Sequence, residues 1–454
     1  MARSTIAFSH CPFRTAGYDV SRHSPPRLTP ALPAEASMEH PPQSGPMPDR
    51  SRSRFSHPIS TASFALLAAG MLVLTGCQQD TTGPSNPEDA PALAASSAGT
   101  LTFSMVSIGG SHSCGVTTDS RAYCWGDNSQ GELGDGSTTD RSKPVLVAGG
   151  LRFSSVSAGN IYTCGLTTLK KAYCWGSNGL GQLGDGTTTE RHTPVAVKGG
   201  LVFRQIRPGT QHTCGATTTN VGYCWGWNPY GQLGNGSTDT RLTPTRVAGS
   251  LKFLRVIAGG RHSCGLTTTN RAFCWGDGSE GQIGDGKTYL RYTPRAVAGG
   301  LAFKQLVAGG GHSCGVTTAD RAYCWGMNDR GQLGIGTRAT ESLVPTAVAG
   351  GHHFAGVSPA FAHTCGVTTQ QVMLCWGWNL YGQLNVDPVF YTKILSPISV
   401  RGTFTSVGGG LGHSHTCGVS TSGTAYCWGA NFDGQLGDGT ITSHSEPQPV
   451  LSPS

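Results

Sequence analysis

Fourteen cysteines fall into seven pairs whose members stand ten positions apart: Cys114 with Cys124, Cys164 with Cys174, Cys214 with Cys224, Cys264 with Cys274, Cys314 with Cys324, Cys365 with Cys375, and Cys417 with Cys427. The pairs recur about every fifty residues. A fixed period of that length marks a repeat architecture, in which one copy cannot bury its apolar face without its neighbours. Any position present in all seven copies serves something every copy needs, and so cannot by itself be a unique active site. Regular, even-numbered cysteines also indicate disulfides, and disulfides persist outside the reducing cytosol.

Each copy reads as four short strands. The first, A, carries a Phe and an apolar residue three positions later, as in Phe103 with Val106 and Phe404 with Val407. A Gly-rich turn leads to strand B, His112-Ser-Cys-Gly-Val-Thr-Thr118, and then to strand C, Ala122-Tyr-Cys-Trp-Gly126. A loop of the type Asn-x-x-Gly-Gln-Leu-Gly-Asp-Gly follows. Strand D is expected at Pro144-Val145-Leu146-Val147, with the proline at its start, which suits an edge strand. With Cys114 opposite Cys124, Ser113 faces Trp125 and Gly115 faces Tyr123. Strand alternation then puts both cysteines on one face and both aromatics on the other. The residue opposite each Trp is always Ser or Thr: Ser113, Thr163, Thr213, Ser263, Ser313, Thr364 and Thr416. Large rings over small partners pack without overfilling. The seven Trp are therefore read as core between repeats, each burying on the order of 200 Å². Directly opposed cysteines lie within disulfide range.

Composition agrees. Gly is 67 of 454 residues with no collagen period, Pro is 26, and only 13% are charged, which suits many tight turns and an all-β chain. Four short strands per fifty residues, seven times over, predict a seven-bladed β-propeller of four-stranded blades. The blades are expected near 101–149, 151–199, 201–249, 251–299, 301–350, 352–401 and 402–452, making residues 100–454 one propeller. The net charge is +7, of which residues 1–76 carry +3 from seven Arg and four acids. The +4 left for the remainder is too small to make a nucleic-acid footprint.

The motif Trp125-Gly126-x-Asn128-x-x-Gly131-x-Leu133-Gly134, preceded by His112-x-Cys114-Gly115-x-Thr117, resembles the repeat of the regulator-of-chromosome-condensation family. The resemblance covers about residues 101–452 and implies a seven-bladed propeller. The sixth copy departs most: Asn385 replaces the last Gly, and Pro388 to Ile394 rewrite the following loop.

The front of the chain reads as an address. Arg50, Arg52 and Arg54 precede an apolar stretch centred on Phe64 to Leu74, which ends in Leu74-Thr75-Gly76-Cys77. The stretch is too short for a confident membrane span. The whole resembles a bacterial lipoprotein signal, over 47–76, with cleavage before Cys77 and lipid on its thiol. An uncleaved anchor is the alternative. Residues 1–46 then read as an over-extended start or disordered extension, with Met47 the true start and Met38 a second choice; in that case Cys11 is not made. Residues 77–99 hold no aromatic and read as a flexible, disordered tether. Gln78 rather than Asp after Cys77 implies the outer membrane if the source is diderm.

Three features could carry chemistry. A His lies two positions before the first cysteine in six copies (His112, His212, His262, His312, His363, His415), on the cysteine face. Repeat two keeps its cysteines with Tyr162 in that place, and metal sites use closer Cys spacing, so the His is read as structural and hydrogen-bonded. His413 is an extra within an insertion. The loop Asp127-Asn128…Asp135-Gly136 looks like a calcium loop, but its first position runs through Trp227, Met327 and Trp378, which cannot ligate; turn chemistry is the better account. No metal and no cofactor are expected. The third feature is the set of variable positions on the rim made by the A–B and C–D loops. Trp227, Tyr230, Trp378, Tyr381 and Phe432 stand there, with Arg261 on a neighbouring A–B loop, and such residues carry binding hot spots. The opposing reading is that these rings only cap the next blade.

No single-copy Ser/His/Asp or paired-carboxylate set appears. The expectation is a non-catalytic, monomeric, membrane-tethered recognition module that takes an envelope or extracellular protein, in preference to a glycan, on its rim. The family includes a secreted bacterial inhibitor of β-lactamases, which sets a precedent for protein binding there. The alternatives are nucleotide exchange on a small GTPase, as in the family's eukaryotic member, and hydrolysis at an unrecognised site; fold alone does not transfer either.

Overall fold

The computed structural model describes residues 101–412 and 414–453. Cys11, Cys77, the apolar stretch, the tether and His413 lie outside the described residues. Blade one consists of β1 (Phe103–Ile108), β2 (His112–Thr117), β3 (Ala122–Gly126) and β4 (Arg141–Leu146), antiparallel in that order. Sixteen strands within 153–347 repeat the order in blades two to five. The hairpin register is the expected one: Cys114 pairs with Cys124, Ser113 with Trp125 and Gly115 with Tyr123.

The cysteine pairing is also the expected one, with one bridge in each blade. Cys114 is bonded to Cys124 in blade one, Cys164 to Cys174 in blade two, and Cys214 to Cys224 in blade three. Cys264 is bonded to Cys274, Cys314 to Cys324, Cys365 to Cys375, and Cys417 to Cys427 in blades four to seven. In every blade the two bridged residues are direct cross-strand partners on strands B and C, so one register serves all seven.

Strand D differs from the expectation. It begins at Arg141, opposite Gly126, so Pro144 lies inside the strand and not at its start. Ser142, Lys143 and Pro144 bulge outward between the Gly126–Arg141 pair and the Cys124–Val145 pair. A strand on the outer edge needs donors on one side only, and a bulge relieves even that need at Pro144.

The last two blades also depart from the simple repeat. Blade six is β21 (Phe354–Pro359), β22 (His363–Thr368), β23 (Val372–Trp378) and the first half of β24 (Lys393–Val407). The second half of β24 is strand A of blade seven, followed by β25 (His415–Ser420), β26 (Ala425–Gly429) and β27 (His444–Pro449), so one seven-stranded sheet serves both blades. The boundary expected at 401/402 therefore falls inside a continuous strand. Other blades end in a turn such as Ala148-Gly149-Gly150, where Gly149 and Gly150 sit at φ 88° and 64°. Between Val400 and Phe404 that turn is two residues shorter, and Gly402 at φ 102° is the only left-handed residue, so the chain bends without leaving the ladder.

The core lies between blades. The cysteine face of blade one, with Cys114, Val116, Ala122 and Cys124, packs on Phe153, Val156 and Trp175 of blade two. The same joint closes the ring, because Trp125 and Phe103 of blade one pack on Cys417, Cys427 and Leu436 of blade seven. A main-chain bond marks it too: Phe103 N–H donates to the Gly423 carbonyl at 2.8 Å, as Phe153 N–H does to Ser120 at 2.8 Å. Among the described residues, blades one and seven exchange no strand.

Candidate functional site

The C–D loops form half of the candidate rim, and each is held from within. Asn128 is fully buried. Its Oδ1 accepts Leu133 N–H at 2.9 Å, and its Nδ2 donates to the carbonyls of Ser137 and Thr139 at 3.1 Å. Asn178, Asn228, Asn379 and Asn431 hold their loops in the same way. Asp135, Asp185 and Asp285 are each engaged by an Arg six residues on, Arg141, Arg191 and Arg291. These polar groups are spent on turns, which is the turn chemistry that the calcium-like pattern allowed. In repeat six Asn385 takes the place of a left-handed Gly at φ 65°, a conformation Asn tolerates better than other side chains.

The His column is an inter-blade tie. His112 Nε2 lies 2.8 Å from Thr163 Oγ1 of the next blade, and that hydroxyl donates to the Glu132 carbonyl at 3.0 Å. The hydroxyl proton is thereby committed, so the imidazole is the donor and carries its proton on Nε2. The pattern recurs for His212, His262, His312, His363 and His415 at 2.8–3.0 Å. The same carbonyl also accepts the indole N–H of the Trp opposite, as Glu132 does from Trp175 at 2.8 Å and Gln182 from Trp225 at 3.0 Å. In repeat two Tyr162 substitutes, its hydroxyl donating to the His212 carbonyl at 2.7 Å. Burial pushes His112 and His262 down to about 4 and His212 and His312 down to about 3, so all four are neutral at pH 7.

Glu132 stands where the other repeats carry Gln. It is fully buried, and burial raises its carboxyl to about 8, aided by Asp127. Its Oε2 accepts Gln130 N–H at 2.9 Å, as the Gln side chains do for their own loops.

The six rim residues singled out in the sequence form two groups. In the first, Trp227 meets Tyr230 edge-on with centroids 5.4 Å apart, and the Arg261 guanidinium of the next blade lies 5.2 Å from the Tyr230 ring. In the second, Trp378 meets Tyr381 at 6.0 Å, and Tyr381 meets Phe432 of blade seven at 5.5 Å. Arg330 of blade five extends this second group, with its guanidinium 5.6 Å from the Trp378 ring. Arg330 occupies the repeat position of Tyr230 and Tyr381, the one signal that could have exposed it. The rings do touch the next blade, but they also leave surface open. Phe432 is 62% exposed and Leu380 46%. The rewritten loop of blade six adds Val389, Phe390 and Tyr391, all exposed. The result is a half-buried aromatic tract, open on one side, across the C–D rim of blades five to seven.

Comparison with known proteins bears on this architecture. The RCC1-like domain profile matches residues 59–366, and the regulator of chromosome condensation (RCC1) repeat matches 407–435 and 422–454. The chain is 35% identical over 115 residues to the ultraviolet-B receptor UVR8 of Arabidopsis thaliana, spanning 24% of this chain and 25% of that protein. It is 41% identical over 76 residues to the secretion-regulating guanine nucleotide exchange factor of Mus musculus, 16% of each chain. These matches span a quarter or less of either relative. Among solved structures, human WBSCR16 aligns with TM-score 0.66 at 20% identity, covering 73% of this chain and 94% of that one. Prp20p of Saccharomyces cerevisiae, described with its binding to Gsp1p and histones, aligns with TM-score 0.65 at 19% identity, covering 78% and 88%. With the domain profile spanning more than half its length and seven blades of the matching fold, the chain belongs to the RCC1-like domain family.

Proposed function

We propose that this chain is an exported, membrane-tethered, non-catalytic recognition propeller that takes a protein partner on the C–D rim of blades five to seven. The observation that carries the reading is the tract Arg330–Trp378–Tyr381–Phe432, with rings and guanidinium in mutual contact across three blades and an exposed apolar border. Preorganised aromatics and Arg bind at low entropic cost, because the rings are already held before a partner arrives. Trp227, Tyr230 and Arg261 form a second anchor of the same composition. The partner is an envelope or extracellular protein, and the anchor is lipid on Cys77.

A photoreactive residue placed at Phe432 of the full chain should cross-link to one dominant envelope protein. The same group at Leu169, exposed on the opposite rim, should not. Trp378→Ala should weaken capture at least tenfold, as hot-spot truncation does. Equal cross-linking from both rims would remove the reading. Export has its own check. Protein taken from its native envelope should show none of the fourteen propeller cysteines as free thiols before reduction, whereas fourteen titratable thiols would place the chain in a reducing compartment.

A second reading, guanine-nucleotide exchange, is favoured by the local identity to the mouse exchange factor. Faster nucleotide release from a small GTPase, lost on rim substitution, would establish it in place of pure recognition.

A further inference from the structure

The A strands of the seven blades surround the propeller axis, where the structure holds a cavity of about 310 Å³. Its chemistry is lopsided. Blades three and four present Gln205, Arg207 and Arg255, while much of the remaining wall is small or apolar, including Met105, Val307 and Gly356. Among the described residues no carboxylate lines it. Neither Arg207 nor Arg255 has an ion pair among the described residues. The Nη1 of Arg207 donates to Ser157 Oγ at 3.1 Å, a neutral acceptor. Burial, together with the like charge of Arg255, pushes the Arg207 guanidinium down to about 10.

Gln205 sharpens the contrast. In blade five the equivalent Gln305 uses both ends of its amide on Val357, accepting its N–H at 2.8 Å and donating to its carbonyl at 3.1 Å. Gln205 accepts Val256 N–H at 3.1 Å, but its buried Nε2 finds no acceptor. Two guanidinium groups and an unspent amide donor therefore line one cavity to which the described residues supply no negative charge. A buried amide donor without an acceptor is costly to maintain, and beside it the partly buried Arg207 meets the like charge of Arg255 with only a neutral hydroxyl as its partner. The arrangement has the donor excess of an oxyanion site, and the guanidinium fork matches carboxylate and phosphate geometry. The cavity falls at the small end of ligand-site volumes.

We propose that the axial cavity is a binding site for a small oxyanion, a phosphate or carboxylate group, held by Arg207 and Arg255 with Gln205 as the neutral donor. This site is separate from the rim and does not depend on the function assigned there.

The test uses the full chain in thermal melts and titration calorimetry, with inorganic phosphate and with citrate, each against chloride at matched ionic strength. At least one of the two oxyanions should raise the melting temperature and give a saturable heat. Which one does so distinguishes a phosphate from a carboxylate ligand. Arg255→Gln, at an exposed strand position that the fold does not need, should weaken binding at least tenfold. Arg207→Lys keeps the charge and should retain part of it. Gln205→Leu should weaken binding without changing net charge, which a merely electrostatic surface effect would not reproduce. Absence of saturable binding by both anions overturns the proposal, as does binding unchanged in Arg255→Gln.

Discussion

At the scale of single residues, the hydroxyl opposite each Trp does two jobs. Ser313 fits beneath Trp325, and it also accepts from His262 at 2.8 Å while donating to the Gln282 carbonyl at 3.0 Å. Ser313→Ala keeps the fit and removes the bonds. It should cost about 1–3 kcal/mol, because a buried imidazole N–H is left without an acceptor; chemical denaturation measures this directly. The four His held neutral make the fold acid-sensitive. Unfolded, each takes up a proton below about 6.5; folded, only near 3–4. Between those values the unfolded chain binds more protons, so stability should fall steadily as pH drops from 6.5 towards 4. Glu132 acts in the opposite sense. Its carboxyl is raised from 4.5 to about 8, so the stability available below pH 4.5 declines as pH rises through 8. Glu132→Gln should therefore stabilise the chain at pH 7 by about 2–3 kcal/mol and make no difference near pH 4, as paired melts at the two pH values will show. The small size of the Ser/Thr column was legible in the sequence, and so was a structural His. Their bond to each other was not, because it joins residues about fifty apart on different blades, and strand alternation describes only one hairpin at a time.

At the scale of elements, the B–C hairpin was legible to the residue because the cysteines fix its register. The bridges Cys164–Cys174, Cys264–Cys274, Cys314–Cys324 and Cys365–Cys375 could all be read from the same ten-residue spacing as the first. Each bridge closes a short loop, and the entropic model assigns it roughly 2.5–3 kcal/mol. Replacing Cys214 and Cys224 together by Ala should cost about that much and lower the melting temperature, with the other six bridges intact. Strand D and the sixth blade boundary were less legible. Pro144 looked like a start signal, yet an outer edge tolerates proline within a bulge. The shortened link between Val400 and Phe404 was visible in the sequence, but its effect, a strand shared by two blades, depends on backbone direction. Hydrogen exchange should show amides of β24 on both sides of Gly402 opening together, whereas the Gly149–Gly150 link separates its two blades. On the rim, Trp227, Tyr230, Trp378, Tyr381, Phe432 and Arg261 stood out as candidates because they break the repeat, and the structure groups them in two sets of contacts. Arg330 was passed over because an Arg on a loop looks like ordinary solvated charge until a ring is seen beneath it.

At the scale of the whole propeller, seven copies of one joint add up to a closed ring. Every blade offers a disulfide-bearing face to one neighbour and an aromatic face to the other, and the last meets the first through the same contacts as the rest. The two faces are different surfaces, so the joint is of the head-to-tail kind, which ends only when the accumulated rotation comes full circle. A chain cut after Arg401 would lose that closure and leave a bare surface of each kind at opposite ends. Such a fragment should self-associate with rising concentration in light scattering, while the intact chain stays monomeric. The joint that makes the ring self-limiting is thus, once opened, a pair of complementary sticky faces with no partner left inside the chain.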